Sequence, residues 1–428
     1  MTTTRWTLPF SLLLIASACK EGDPQVTDTD PGTGSTSSPG TTGDATTDTP
    51  TTDTPTTDPT TDPTGETTGN PVCDALQISP IDEGACEALA SDYQPRVNMS
   101  KDDTWAACIT DNGKYTQVDP GVPGSAARIV AYDEIAKLLW NDGVTPAKDD
   151  FTAARDQYII PQGLESRVVR REDLHYPEIP MAEWDPQVES DKQCTVPGLP
   201  EKYPLRCVGP ITMVPLIDDA FAAGQTGDGD PQIHAATIHA TLDWFIYLSI
   251  YKEAETCLSV DPADCDSAWA YYTGAHTPDQ GIGLSAQLRT HSDNTHQRIH
   301  DGLLAVRCWR DHEQMNGMYP LKPMIDKAGL DEFGLGWEQL DQALHRGFAL
   351  LVRNQLVTYL EGTCGKNDAY LPAVWQYLKI AGPVLQREAD ERDAGNAKAL
   401  ADLWASDAPT VEELEAGLAA LDTIFPCP

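Results

Sequence analysis

Between Ala126 and Ile424 the apolar residues recur every third or fourth position and almost nowhere every second. That spacing confines the chain to helices, because strand faces need a period of two. Arg128 to Trp140 carries Ile129, Tyr132, Ile135, Ala136 and Leu139 on one helical period. Gln232 to Thr256 is apolar on most sides, which predicts a helix buried at the centre of the fold. Trp337 to Glu361 predicts another through Leu340, Leu344, Phe348, Leu351 and Leu356, with Gly362 as its stop. Val374–Arg392, Ala397–Ala405 and Val411–Ile424 complete a helical C-terminal part. Pro409-Thr410 opens the last of these, with glutamates in the first turn where the helix dipole favours them. Residues 72–125 read as loop-rich with short helices. Residues 177–230, rich in Pro, Gly and Asp, read as a long excursion. The fold class is mainly α: a disulfide-stapled helical domain with candidate internal repeats, preceded by a disordered stalk.

The candidate repeats rest on one pattern. Three times a long apolar helix is followed by a loop and then Ala-x-x-x-Tyr, at Ala154–Tyr158, Ala268–Tyr272 and Ala373–Tyr377. A polar, arginine-bearing stretch follows each copy: Arg167, Arg170, Arg171 and Asp173; then Arg289, Asp293 and Arg298; then Arg387, Asp390, Arg392 and Asp393. The units fall near 126–180, 231–310 and 337–400. Ala-x-x-x-Tyr is also a common core spacing on any helix.

The first 71 residues have a different composition. An apolar run through Leu12-Leu13-Leu14-Ile15 and the small residues Ala16-Ser17-Ala18 precede Cys19. This pattern resembles a bacterial lipoprotein signal peptide over 1–18, with Cys19 as the lipidated residue, and it is too short for a permanent membrane span. Residues 19–71 are almost entirely Thr, Asp, Pro, Gly and Ser. Such a stretch cannot bury enough surface to offset ordering entropy, so it is expected to be a disordered tether, extended by proline and self-repelling aspartate. The expected location is therefore the bacterial cell envelope, after export, with the only membrane contact through the lipid.

Residues 72–428 form the helical domain. Setting Cys19 aside leaves ten of the eleven cysteines, scattered and without a Cys-x-x-Cys pair. That disfavours a thiolate zinc site and, in an exported chain, favours up to five disulfides. Cys73 with Cys86, Cys194 with Cys207, and Cys257 with Cys265 are the local pairings. Ten of the 66 acids lie in the tether, leaving 56 against 27 bases. An acidic surface of this kind repels nucleic acid and anionic lipid and concentrates cations.

Seven of the nine histidines lie between His234 and His312. Asp293, His296 and His300 fall on one helical face, and His239 and Asp243 stand four apart. Neutral imidazole and carboxylate suit divalent metals and ferric iron. Tyrosine and arginine form a second constellation. A phenolate binds a hard trivalent cation, and an arginine fork can hold a bridging anion such as carbonate. One set is Tyr158 with Arg167, Arg171, Asp173 and His175; the other is Tyr271 or Tyr272 with His276, Arg289 and Asp293. Gly224–Asp230 lacks the order of a calcium loop and reads as an acidic turn.

Two lines carry a resemblance: Ala268-Trp269-Ala270-Tyr271-Tyr272-Thr273-Gly274 and Tyr158 to Arg171. Over roughly 125–400 the layout resembles the low-iron-inducible periplasmic iron-assimilating proteins of algae and the related phytotransferrins. The resemblance implies capture of ferric iron with a synergistic anion, and makes Tyr158 and Tyr272 candidate phenolate ligands. The histidine cluster and the bacterial-type signal do not map onto that family.

The chain lacks Gly-x-Ser-x-Gly, a Walker A loop, a dinucleotide fingerprint and His-Glu-x-x-His. The reading therefore leans away from an enzyme. The expected function is a surface-tethered lipoprotein that binds a metal ion, ferric iron with carbonate foremost, for capture without turnover. Expected metal ligands are Tyr158, Asp173, His175, Tyr272, Asp293, His296 and His300, with Arg171 and Arg289 for the anion. The alternatives are a metal-dependent hydrolase using the 234–312 histidines and a non-catalytic scaffold or adhesion protein.

Overall fold

The computed structural model describes residues 78–86, 88–89, 92–95, 109–119, 121–140, 144–259, 263–315, 327–365 and 370–426. The chain divides into Met1–Glu66 and Thr67–Pro428, and the description concerns the second unit. The signal segment, Cys19, the tether and Cys73 lie outside the described residues.

Fourteen α-helices and no strand occur among the described residues. They are α1 (Gly124–Leu139), α2 (Lys148–Tyr158), α3 (Glu165–Val168), α4 (Leu199–Lys202), α5 (Val214–Thr226), α6 (Pro231–Ser259), α7 (Ala263–Thr273), α8 (Leu284–His291), α9 (Asp293–Met315), α10 (Lys327–Thr363), α11 (Leu371–Ala381), α12 (Gln386–Arg392), α13 (Ala394–Ala405) and α14 (Val411–Ile424). Among these residues no helix is long and apolar enough to cross a membrane.

Helix α6 is the axis. It packs against α11, α7 and α5 and also reaches α1, α9 and α10. Its burial follows from its sequence: Ala236, Ala240, Phe245, Ile246, Leu248 and Ile250 lie around its whole circumference and none is exposed. A helix apolar all round must be enclosed, since any open side would leave apolar surface in water.

Each Ala-x-x-x-Tyr motif lies on a helix of 11 residues: α2, α7 and α11. Each of these packs on the long helix before it, α2 on α1, α7 on α6 and α11 on α10. All three alanines and all three tyrosines are buried. The spacing puts a small and a large residue one turn apart, so the helix approaches closely at Ala and anchors at Tyr.

Two elements differ from the sequence reading. The 177–230 excursion contains α5, which follows a π-helical turn at Gly209–Met213. Pro215 sits in its first turn, where a missing N–H costs nothing, so a residue that suggests a break starts a helix instead. Ile217, Ala220, Phe221 and Gly224 then form its buried face. The acidic Gly224–Asp230 stretch serves as the end of α5: Gly227 takes φ 78° and its N–H donates to the Ala223 carbonyl at 2.8 Å. Val374–Arg392 is two helices, because Gly382-Pro383 forces a 3₁₀ turn between α11 and α12.

Cys194 is bonded to Cys207 and Cys257 to Cys265, as the spacing suggested. Cys86, Cys308 and Cys364 are disulfide-bonded as well.

Helices α9 and α10 pack closely along their length, and Gly302 permits it. A Cβ at Gly302 would stand 2.7 Å from the Leu340 Cα and 2.9 Å from its Cβ. Backbone cannot yield as a flexible side chain can. Gly302→Ala is therefore expected to lower unfolding free energy by about 1–3 kcal/mol, the range for overpacking. A denaturant midpoint within error of the parent protein would contradict this.

Candidate metal centre

Four places in the fold supply the centre. Between α3 and α4, the segment from Arg171 to Tyr176 presents Asp173 and His175. Helix α6 presents Tyr247 and Tyr251, α10 presents Asp341 and His345, and α12 presents Glu388 and Arg392. Each helix contributes a pair four residues apart, which places both side chains on one face.

The segment carrying His175 has no regular structure, yet it is fixed. The Asp173 N–H donates to the Arg206 carbonyl at 2.7 Å. The Asp173 carboxylate accepts from the backbone N–H of His175 at 3.0 Å and lies 2.8 Å from its Nδ1. Arg206 donates to Glu172 at 2.7 Å and to the Tyr176 carbonyl at 2.8 Å. The Cys194–Cys207 bridge holds the residue next to Arg206.

His175, Asp341 and His345 converge. Each offers one ligand atom, and these atoms lie within 4.8 Å of one another. Among the described residues this is the one group of three or more His, Cys, Asp or Glu side chains that does so. The imidazole rings of His175 and His345 stand edge to face, 5.2 Å between centroids. His175 Nδ1 is taken by Asp173, and His345 Nδ1 by the Asp341 carbonyl at 3.0 Å. A ring whose Nδ1–H is donated to an oxygen keeps a lone pair on Nε2, the arrangement that orients metal-binding histidines. His175 Nε2 is 3.2 Å from the Tyr247 hydroxyl, and His345 Nε2 is 3.7 Å from Glu388 Oε2. The other Glu388 oxygen accepts from Arg392 Nε at 2.6 Å. Tyr251 covers the His175 ring at 4.2 Å, and Trp337 covers Tyr251 at 4.8 Å.

The charge balance invites a cation. Asp173, Asp341 and Glu388 supply three carboxylates against the single guanidinium of Arg392. Burial alone would raise the Asp341 pKa, but His345 beside it, at 3.3 Å, outweighs burial and holds the carboxyl below its usual range. Burial likewise opposes the proton on His345, yet Asp341 and Glu388 raise its pKa above that of ordinary histidine. Burial drives the Tyr247 phenol well above its ordinary value. A phenol in that state binds metal only if the ion itself displaces the proton.

The other expected ligands lie elsewhere. Tyr158, at the end of α2, packs on Phe221, and its buried hydroxyl has no hydrogen-bond partner. Tyr272 shares a small apolar cavity with Tyr247, but its hydroxyl meets His296 Nδ1 at 2.8 Å. Burial pushes both phenols up. Asp293 is exposed at the start of α9, while His296 and His300 on the same helix are buried. Arg289 donates to the carbonyls of Pro278, at 2.6 Å, and Gly281, at 3.4 Å. Of the expected ligand set, Asp173 and His175 alone belong to the centre.

No protein-family model, curated protein or solved structure matches the chain. The centre therefore has to be read from its own chemistry.

Sequence reasoning missed Tyr247, Tyr251, Asp341, His345 and Glu388. The dense histidine signal is the seven between His234 and His312, whereas His175 and His345 are the two outside that span. A usable signal was present: Asp341 and His345 have the same four-residue spacing as His239 and Asp243, on a helix already recognised. The His239–Asp243 pair is itself a packing device. Asp243 is wholly buried and accepts from Tyr132 at 2.5 Å and Tyr377 at 2.8 Å, with His239 Nε2 at 3.5 Å.

His296 gives a pH dependence. Burial, reinforced by the positive charge of Arg289, depresses its pKa to about 4. The unfolded chain takes its proton near pH ~6.5, so the neutral folded histidine contributes stability above that pH and loses it as pH falls through about 4. The loss is on the order of 3 kcal/mol, about 1.4 kcal/mol for each unit of depression. Urea midpoints measured from pH 7 to pH 4 should fall, and the fall should shrink in His296→Asn. An unchanged slope in that variant would assign the acid sensitivity to other groups.

Proposed function

We propose that this chain is an exported metal-binding protein, tethered to a membrane through a lipid on Cys19, which captures a transition-metal ion at His175, Asp341 and His345. The carrying observation is the meeting of one imidazole from the segment after α3 with an imidazole and a carboxylate from α10, each imidazole with its Nδ1 already committed to an oxygen. Two histidines with a carboxylate suit a divalent ion such as zinc, ferrous iron or manganese. Glu388 and Tyr247 crowd the remaining directions around the two Nε2 atoms. That crowding favours retention of an ion over an open position for turnover, and so favours capture over hydrolysis.

The Tyr247 hydroxyl, 3.2 Å from His175 Nε2, favours a second reading. Loss of its proton to an incoming ion would supply a phenolate, the donor suited to ferric iron. Zinc, cobalt and ferric iron, the last with and without bicarbonate, should be titrated into chelator-treated protein. Binding of one cobalt ion with visible ligand-field bands supports the divalent reading. A tyrosinate-to-iron band that disappears in Tyr247→Phe supports the ferric one. Failure of every ion to bind at stoichiometric concentration would end both.

A further inference from the structure

Buried arginine is expensive unless something answers its charge. Nearly every buried arginine described here is answered. Arg206 meets Glu172, Arg298 meets Asp92 and Arg353 meets Asp422, while Arg346 and Arg128 donate to the carbonyls of Phe425 and Gln162. Arg171 is the exception. Its side chain is 6% exposed, yet its guanidinium makes neither an ion pair nor a hydrogen bond, and its buried Nε lacks a partner. Its one close neighbour of note is the Phe245 ring, 5.1 Å from Cζ. A ring face attracts a cation but accepts none of its five N–H groups.

Arg167 repeats the pattern. It is half-buried, its Nε is enclosed without a partner, and it has no carboxylate. The two arginines are one helical turn apart, in the turn that ends α3, where the Arg170 and Arg171 N–H groups donate to the Arg167 and Val168 carbonyls. Arg170, between them, is spoken for by Asp191 at 3.2 Å. The turn is held rigidly: the Gly209 N–H donates to the Arg171 carbonyl at 2.9 Å, and a Cβ on Gly209 would stand 2.6 Å from the Arg171 nitrogen. In a chain with 66 acids and 29 bases, two enclosed arginines four positions apart in one turn, neither with a carboxylate partner, are a specific arrangement.

We propose that Arg171 and Arg167 form a binding site for a small oxyanion, with the planar Arg171 fork as the anchor and Arg167 as the second positive charge. The ligand class is an anion with at least two coplanar oxygens: phosphate, carbonate or a carboxylate. The Phe245 ring lies beneath the Arg171 guanidinium, Cζ 5.1 Å from its centroid, so an anion would approach along the guanidinium edge, where bidentate bonds form. Arg171 begins the segment that carries Asp173 and His175, but neither arginine is among the groups that would hold the metal.

The test uses the purified full chain, treated with chelator, in chloride buffer at constant ionic strength. Sodium phosphate, bicarbonate and acetate are titrated separately, and melting temperature and heat of binding are followed. The expected result is saturable binding and a rising melting temperature with at least one of the three, the responding anion identifying the source. Arg171→Met should abolish the response. Arg171→Lys, which keeps charge but loses the fork, should weaken it by ~tenfold or more. If Arg171→Met does not fold, Arg167→Met, at the less buried position, should still weaken binding. No saturable response to any of the three anions, or a response unchanged in Arg167→Met and Arg171→Lys, overturns the proposal.

Discussion

His345→Ala should lower the affinity for a divalent ion by ~100-fold or more, because even partners that only orient a ligand are worth about 10- to 100-fold. His345 is 3% exposed and lies within reach of both Asp341 and Glu388, so no other side chain can take its place. Asp173→Asn tests the supporting layer. It removes a carboxylate that touches His175 Nδ1 at 2.8 Å without removing a ligand, and the expected loss is about 10- to 100-fold. Affinity should also rise with pH. The ion must displace the proton that Asp341 and Glu388 hold on His345, whose pKa is raised, so binding strengthens until that proton is gone. Isothermal titration in buffers of different ionisation heat measures the affinity and the protons released together. Equal affinities for parent and His345→Ala, at any pH from 6 to 8, would remove His345 from the centre.

Asp243→Ala is expected to cost ~2–5 kcal/mol of stability, about 1–3 kcal/mol for each of the two buried phenols left without an acceptor. The carboxylate is the shared acceptor of Tyr132 and Tyr377, and Gln287 in turn donates to the Tyr132 hydroxyl. Through it α6 is tied to α1, α11 and α8. Removing it strands two buried phenols that have no other acceptor. Replacing all three groups together, with Asp243→Leu, Tyr132→Phe and Tyr377→Phe, removes both stranded phenols and should recover part of the loss, the Gln287 amide and His239 Nε2 still lacking the partners they had. Denaturant unfolding of the single and triple variants decides the matter. A loss under about 1 kcal/mol in Asp243→Ala would show the network to be ordinary packing.

The helices were legible because they rest on local rules. Val411–Ile424 begins where Thr410 and Glu413 form a reciprocal capping box, and both residues can be read directly from the chain. Helix α6 announced its burial through its composition. Helix α5 did not, because Pro215 and the glycines around it look like loop until the π-helical turn before it is known. The centre was legible only in part for a different reason. Asp173 and His175 are two apart and Asp341 and His345 four apart, but nothing local says that these pairs meet. Their meeting is set by how α10 and α12 cross the segment after α3. Histidine density, the signal available in the sequence, instead marked residues spent on packing, such as His239 between Trp140 and Tyr132 and His296 beneath Tyr272.

The centre draws on His175, Tyr247, His345 and Glu388, so its parts come from near both ends and the middle of the helical unit. No contiguous fragment that stops short of α12 can contain it. An ion held there would act as a thermodynamic clasp. Because it binds the assembled protein and not the unfolded chain, its affinity adds to the stability of every element at once, by an amount that grows with the logarithm of ion concentration. Occupancy of the site and completeness of the fold then become one equilibrium. A protein standing in scarce metal would be less resistant to unfolding than the same protein in plenty.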